Sequence, residues 1–264
     1  MIQNNLLLKK NMESTEASWD RVWGVYGKTK YEFQLALEEH RVRWQKIHDI
    51  VIERYGSFRG LNCIEIGAGS GHYSMLFARQ GAHVTLLDYS KEALKFCQAI
   101  FRDNCIREEQ ARFVHMDALR IDPAFLGKYD VSMSFGVAEH FEGKDRTGIV
   151  KAHYDVLNQA GVTFISVPNA HCIPYRIYQF IAGFKKRDTI ECHAYSKGEF
   201  KHIAGENNIN KYEFIGSSYI DAYSPLSFYR RKRGLTGDIA KINNESPSRL
   251  DKYLGREITF IGKK

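Results

Sequence analysis

The stretch Asn62-Cys63-Ile64-Glu65-Ile66-Gly67-Ala68-Gly69-Ser70-Gly71-His72 constrains this chain more than any other. A short apolar run carrying one acid is followed by glycines at every second position, and then by the helix-like run Tyr73-Ser74-Met75-Leu76-Phe77-Ala78. The order reads as strand, tight turn, helix start. Glycine accepts the left-handed backbone that such a turn demands and lets bare main chain approach a ligand. The helix start adds N–H groups without intrahelical partners, which suit an anionic or polar group.

Beyond the turn, apolar strands alternate with amphipathic helices. Strands are expected at Cys63–Ile66, His83–Leu87 closing at Asp88, Arg112–Met116 closing at Asp117, Tyr129–Phe135 and Val162–Val167, with later ones at Tyr212–Tyr219 and Glu257–Ile261. Between them, helices are expected at Tyr73–Gln80, after an N-cap at Ser90, at Arg146–Leu157, and after the capping box Ser196-Lys197-Gly198-Glu199. Near-continuous apolar strands separated by helices imply an α/β fold with a doubly wound, mostly parallel sheet of seven strands.

Before the sheet, residues 13–55 read as helix, with Trp19, Val22, Trp23 and Tyr26 on one face, a break near Gly27, and a second helix carrying the stripe from Leu35 to Val51. No change of composition separates this part, so residues 1–58 are expected to be a helical cap on one domain whose binding portion is 59–264. Residues 169–195 interrupt the strand–helix rhythm and read as a lid-like insertion. Ser224–Lys252 reads as a long surface insertion.

Composition excludes more than it selects. The chain has 264 residues, 44% hydrophobic and 26% charged, with no apolar run of membrane-spanning length. A soluble, cytoplasmic protein with no membrane partner is the expectation. Five scattered cysteines without a CxxC pair argue against a disulfide framework. The formal charge of +7, concentrated at Lys185-Lys186-Arg187 and Arg230-Arg231-Lys232-Arg233, permits acidic partners without requiring them.

The spacing of the turn separates its possible ligands. A dinucleotide fingerprint is G-x-G-x-x-G, and a P-loop ends in Gly-Lys-Ser/Thr; neither fits Gly67, Gly69, Gly71 followed by His72. The pattern E-x-G-x-G-x-G, beginning at Glu65, resembles motif I of class I S-adenosylmethionine (SAM)-dependent methyltransferases. Three further stations strengthen the resemblance: Asp88, Met116-Asp117-Ala118, and Ser134-Phe135-Gly136-Val137-Ala138-Glu139-His140-Phe141. All stand at carboxyl ends of expected strands, where an open α/β sheet binds ligands. Within that family the chain is similar to the ubiquinone-biosynthesis-type O-methyltransferases and other small-molecule methyltransferases.

The resemblance implies a Rossmann-like fold and SAM as cofactor. Gly67, Ala68, Gly69 and Gly71 would cradle it, with turn N–H groups near its carboxylate and Glu65 orienting the turn. Asp88 with Tyr89 would meet the ribose, Asp117 with Ala118 the adenine, and Phe135, Gly136 and Val137 the methionine part. His140 is the candidate catalytic base, because a hydroxyl acceptor must lose its proton. The family motif E-x-x-E-H is associated with a divalent metal, but its first acid is replaced here by Gly136, so no metal is expected. A zinc site from His171-Cys172 and Cys192-His193 is disfavoured by the adjacency of each pair. Candidate acceptor contacts are Trp19, Trp23, Tyr26, Glu139, His171, Tyr175 and His193, with plain core packing as the alternative for the aromatic ones.

These readings point to methyl transfer to an oxygen or nitrogen of a small molecule. An RNA-modifying methyltransferase is the alternative carried by the +7 charge, although no RNA-binding module is recognisable. A non-catalytic SAM-binding regulator is a further one.

Overall fold

The computed structural model describes residues 14–184, 190–224 and 244–264. Lys185–Arg187, Arg230–Arg233 and much of the Ser224–Lys252 insertion lie outside them. Strands β1 (Asn62–Ile66), β2 (His83–Asp88), β3 (Ala111–His115), β4 (Tyr129–Phe135), β5 (Leu157–Pro168), β6 (Lys211–Ser217) and β7 (Glu257–Lys263) form one sheet in the order β3-β2-β1-β4-β5-β7-β6. Pairings from β3 to β5 are parallel; β7 runs antiparallel to both β5 and β6. The Rossmann-like sheet read from the sequence is therefore present.

Alternation along each strand splits the core between the two faces. Cys63, Val84, Leu86 and Met133 pack on one side with helices α2 (Lys28–Glu39), α3 (Val42–Tyr55), α4 (His72–Arg79) and α5 (Lys91–Asp103). Ile64, Ile66, Leu87 and Ile165 pack on the other with α6 (Lys144–Asp155) and α8 (Lys197–Glu206). The order reverses between β2-β1 and β4, so the crevice opens beyond the carboxyl ends of β1 and β4.

Several boundaries differ from the sequence expectation for local reasons. The N-terminal region holds three helices rather than two: α1 (Glu16–Trp23) is separated from α2 near Gly27 as expected, but a second break falls at His40–Arg41. The apolar stripe from Leu35 to Val51 crosses that break and conceals it. Helix α6 begins at Lys144 after Gly143, whose φ of 53° closes the preceding turn, and it ends before Leu157, which pairs with Tyr129 to open β5. Strand β6 stops at Ser217 because Ser218 takes a left-handed φ of 63°, turning the chain into the short α9 (Tyr219–Tyr223). The 169–195 segment contains a full helix, α7 (Ile173–Phe184). Among the described residues no helix is long and apolar enough to cross a membrane.

Helices α2 and α3 are fastened to the sheet by a buried charge cluster. Arg43 donates from Nη2 to Glu38 Oε2 (2.7 Å), from Nε to the Tyr73 hydroxyl (2.6 Å) and from Nη1 to Ser166 Oγ (3.0 Å), and its Nη1 lies 2.9 Å from Glu257 Oε2. One guanidinium thus joins α2, α3, α4, β5 and β7. Burial alone would raise the Glu38 carboxyl, but Arg41 and Arg43 outweigh it and hold the pKa down to about 2.

A buried charge left without its partner is costly, about 3–5 kcal/mol. Arg43→Met is expected to lower the unfolding free energy by about that amount in urea titrations at neutral pH. In the wild type, Glu38 adds stability above its ordinary value of 4.5, and that contribution is lost as the pH falls from there towards about 2. Acid unfolding of the variant should show this component reduced, with Arg41 still beside Glu38.

Candidate functional site

Strand β1 ends and the chain turns at Gly67, Gly69 and Gly71, with φ of 69°, 53° and 65°. A side chain at these positions would be strained and also blocked. A Cβ on Gly67 would lie 2.7 Å from Val137 Cγ1, one on Gly69 2.5 Å from Trp23 Cζ2, and one on Gly71 2.8 Å from Leu86 Cδ2. Leu87 O accepts from Gly67 N (2.7 Å) and Ala68 N (3.0 Å), Asp88 Oδ2 from Gly69 N (2.8 Å), and Ala68 O from Gly71 N (2.7 Å). The amides of these four residues are thus spent inside the turn. At these four positions the turn therefore offers a ligand close-approach main chain rather than free N–H groups.

In front of the turn lies a cavity of about 510 Å³, within the ordinary range for small-molecule sites. Its walls come from the carboxyl ends of β1 to β4, through Ala68, Asp88, Asp117 and Gly136 among others. Of the expected cofactor contacts, Glu65, Gly67, Ala68, Gly69, Asp88, Tyr89, Asp117, Ala118, Phe135, Gly136 and Val137 all border it; Gly71 lies behind, packed against Leu86 and Cys97. Glu65 is buried, accepts the Ser74 N–H at 2.9 Å and is pushed up to about 7 by burial, so it ties β1 to the first turn of α4. Asp88 is buried as well. Its Oδ1 accepts from Ser90 N and its Oδ2 from Gly69 N, both at 2.8 Å, and burial raises its pKa against those bonds. Asp117 is half-exposed and accepts from Leu119 N at 2.9 Å.

Helix α1 forms the roof. Trp23 covers the glycine turn, and Trp19 meets His140 edge-on, with ring centroids 5.0 Å apart. His140 closes a 3-10 turn, Ala138–His140, directly after β4. Its Nδ1 lies 2.6 Å from the carbonyl oxygen of Glu191. A carbonyl can only accept, so the neutral ring carries its proton on Nδ1 and Nε2 is the nitrogen able to take another. Burial lowers the His140 pKa, with the Glu191 and Gly136 carbonyls opposing. The floor is the stacked pair Tyr73 and Phe135, with ring centroids 3.4 Å apart, below the Arg43 guanidinium.

The expected acceptor contacts divide. Trp19 and Trp23 border the cavity. Tyr26 does not; it packs edge-on against Trp23 and Phe96. Glu139, His171, Tyr175 and His193 also lie outside its walls. The Tyr175 hydroxyl is 3.2 Å from Cys192 Sγ, and His193 Nε2 is 2.6 Å from Glu142 Oε1. Among the described residues, Glu142, Glu191 and His193 could share a metal ion, whereas His171, Cys172 and Cys192 join no such group. Sequence reading missed Ser14, Glu38, Arg43, His72 and Glu142, which also border the cavity. Arg43 sits beside Trp44 inside an apolar stripe, and that position was the available signal for a buried charge.

Residues 63–161 match the model of the methyltransferase domain family. The chain is 26% identical over 132 residues to the ubiquinone biosynthesis O-methyltransferase of Marinobacter nauticus, covering 48% of this chain and 54% of that protein. It is 25% identical over 169 residues to the Escherichia coli protein of the same name, covering 64% and 65%. The match therefore spans between about half and two thirds of these relatives. In fold it is similar to the magnesium protoporphyrin IX methyltransferase of Synechocystis PCC 6803, with a TM-score of 0.56 at 15% identity over 94% of both chains.

Behind the cavity, Glu139 is buried and its Oε2 makes no hydrogen bond. Burial pushes its pKa up to about 8. A raised carboxyl favours the fold below its ordinary 4.5, and that contribution is lost as the pH rises through about 8. Glu139→Gln should abolish this component, so that the variant's melting temperature relative to wild type rises steadily between about pH 4.5 and about pH 8.

Proposed function

We propose that the chain is a SAM-dependent methyltransferase that transfers a methyl group to an oxygen or nitrogen of a small molecule held beside His140. The observation that carries this reading is one cavity that joins the glycine turn, Asp88 and Asp117 to His140. SAM is the cofactor that this wall fits. The turn brings bare main chain to the ligand and has no room for a side chain at Gly67 or Gly69. Asp88 retains lone pairs for ribose hydroxyls although each oxygen already accepts one N–H. In this reading Asp117, just beyond β3, takes the adenine amine, and Phe135, Gly136 and Val137 line the methionine part.

Bound there, SAM supplies a methyl group already activated on a positively charged sulfur. The protein's work is alignment and proton removal. The Trp19 and Trp23 roof limits water. His140 Nε2 takes the acceptor's proton, while the Glu191 carbonyl holds the ring by Nδ1. A lowered pKa keeps that nitrogen free at neutral pH.

Charge distribution favours a small acceptor over RNA. The acids Asp117, Glu142 and Asp145 border the cavity, and the one arginine that borders it among the described residues, Arg43, is already matched by Glu38 and Glu257. The described basic groove of Arg59, Arg79, His83 and Arg107 lies at the amino ends of the strands, on the opposite edge of the sheet. Among the described residues, a phosphate backbone approaching the cavity would meet acids. Location in the cytoplasm accords with this metabolic reading.

Incubating the protein with methyl-labelled SAM and fractionated cell extract is expected to place label in small molecules. Label in RNA or protein, or tight SAM binding with no transfer, would contradict the proposal. His140→Ala is expected to lower turnover about 100-fold with SAM affinity near wild type; near-normal turnover at saturating SAM would move the base elsewhere.

A further inference from the structure

Helix α1 roofs the cavity, yet none of its eight residues, Glu16–Trp23, is buried. Such a helix cannot be held by core packing. It is held by its tryptophan rings and by polar contacts at its rim. Asp20 makes the most closely integrated of these contacts. Its Oδ1 accepts from Ser90 Oγ at 2.6 Å and from Glu92 N at 3.2 Å, at the N-terminus of α5. A carboxylate there completes the cap and meets the positive end of the helix dipole.

Ser90 links this contact to the ligand wall. Its N–H donates to Asp88 Oδ1, and the other Asp88 oxygen accepts from Gly69 N. A continuous path of hydrogen bonds therefore runs from the glycine turn through Asp88 and Ser90 to Asp20 on the roof helix. The roof returns to the same turn, since the Trp23 ring lies over Gly69. A second rim contact, Glu16 with Lys91 (3.7 Å) and His115 (3.4 Å), lies outside this path.

We propose that Asp20 is a positioning residue that latches α1 onto α5 and, through Ser90, couples closure of the Trp19/Trp23 roof to occupancy of Asp88. This rests on the reading that Asp88 takes the ribose. Hydroxyls bound to Asp88 fix its carboxylate, which fixes the Ser90 N–H, the Ser90 hydroxyl and so Asp20. With the wall empty, the same path is free to fluctuate and α1 can lift. Cofactor exchange, needed once per turnover, passes through that opening.

Amide hydrogen exchange of residues 16–23 in the full chain tests this, with and without S-adenosylhomocysteine (SAH). Saturating SAH is expected to slow exchange there in the wild type. Loss of both hydrogen bonds to the Asp20 carboxylate in Asp20→Ala should speed exchange in the free protein at least about tenfold and remove the SAH-dependent protection. Asp20→Asn, which keeps an acceptor oxygen, should fall between. Glu16→Gln should stay within about twofold of wild type, as an exposed pair contributes little. SAH release, followed by tryptophan fluorescence in stopped flow, should be about tenfold faster in Asp20→Ala.

Wild-type exchange in Asp20→Ala, or equal loosening by Glu16→Gln, overturns the latch. SAH binding without protection of residues 16–23 overturns the coupling. Absence of SAH binding to the wild type contradicts the functional reading instead, and the Asp20→Ala comparison in the free protein still decides the latch.

Discussion

The Asp88 carboxylate is the contact on which the binding wall depends. It closes β2, receives Gly69 N–H from the turn after β1 and receives Ser90 N–H from the cap of α5. The turn after β1, the end of β2 and the cap of α5 are thereby held in one geometry beside the sheet's switch point. Burial makes that carboxyl expensive to ionise, and the N–H bonds lower the cost without cancelling it. A ligand offering further hydroxyl donors at this point completes a set that the fold leaves partly filled.

Much of this was legible in the sequence because it rests on local rules. Glycines at every second position, acids at strand ends and apolar runs of strand length each fix a backbone state without reference to the rest of the chain. The cavity wall followed from Glu65, Asp88, Asp117 and Phe135–Val137 for that reason. What was not legible depends on long-range pairing. Arg43 reads as a solvated residue until Glu38, Ser166 and Glu257 converge on it from α2, β5 and β7. The break between α2 and α3 is hidden by an apolar stripe that continues across it. Tyr26, predicted at the acceptor, has the right helical spacing after Trp19 and Trp23, but the break at Gly27 directs it into the side of α5, against Phe96.

Net charge illustrates the limit of composition. A chain of +7 suggests acidic partners, yet the described cavity is bordered by acids and its arginine is neutralised within the fold. Among the described residues, distribution says more about this cavity than net charge does. Helix α1 matters here for its position: with no buried residue, it covers both the glycine turn and His140.

The most direct test of this account is a titration of isotope-labelled protein with S-adenosylhomocysteine, followed by amide and indole NMR shifts. One equivalent should perturb Gly67–Gly71, Asp88, Asp117 and the Trp19 and Trp23 indoles together. No binding, or shifts confined to the basic groove around Arg59 and Arg79, would contradict it.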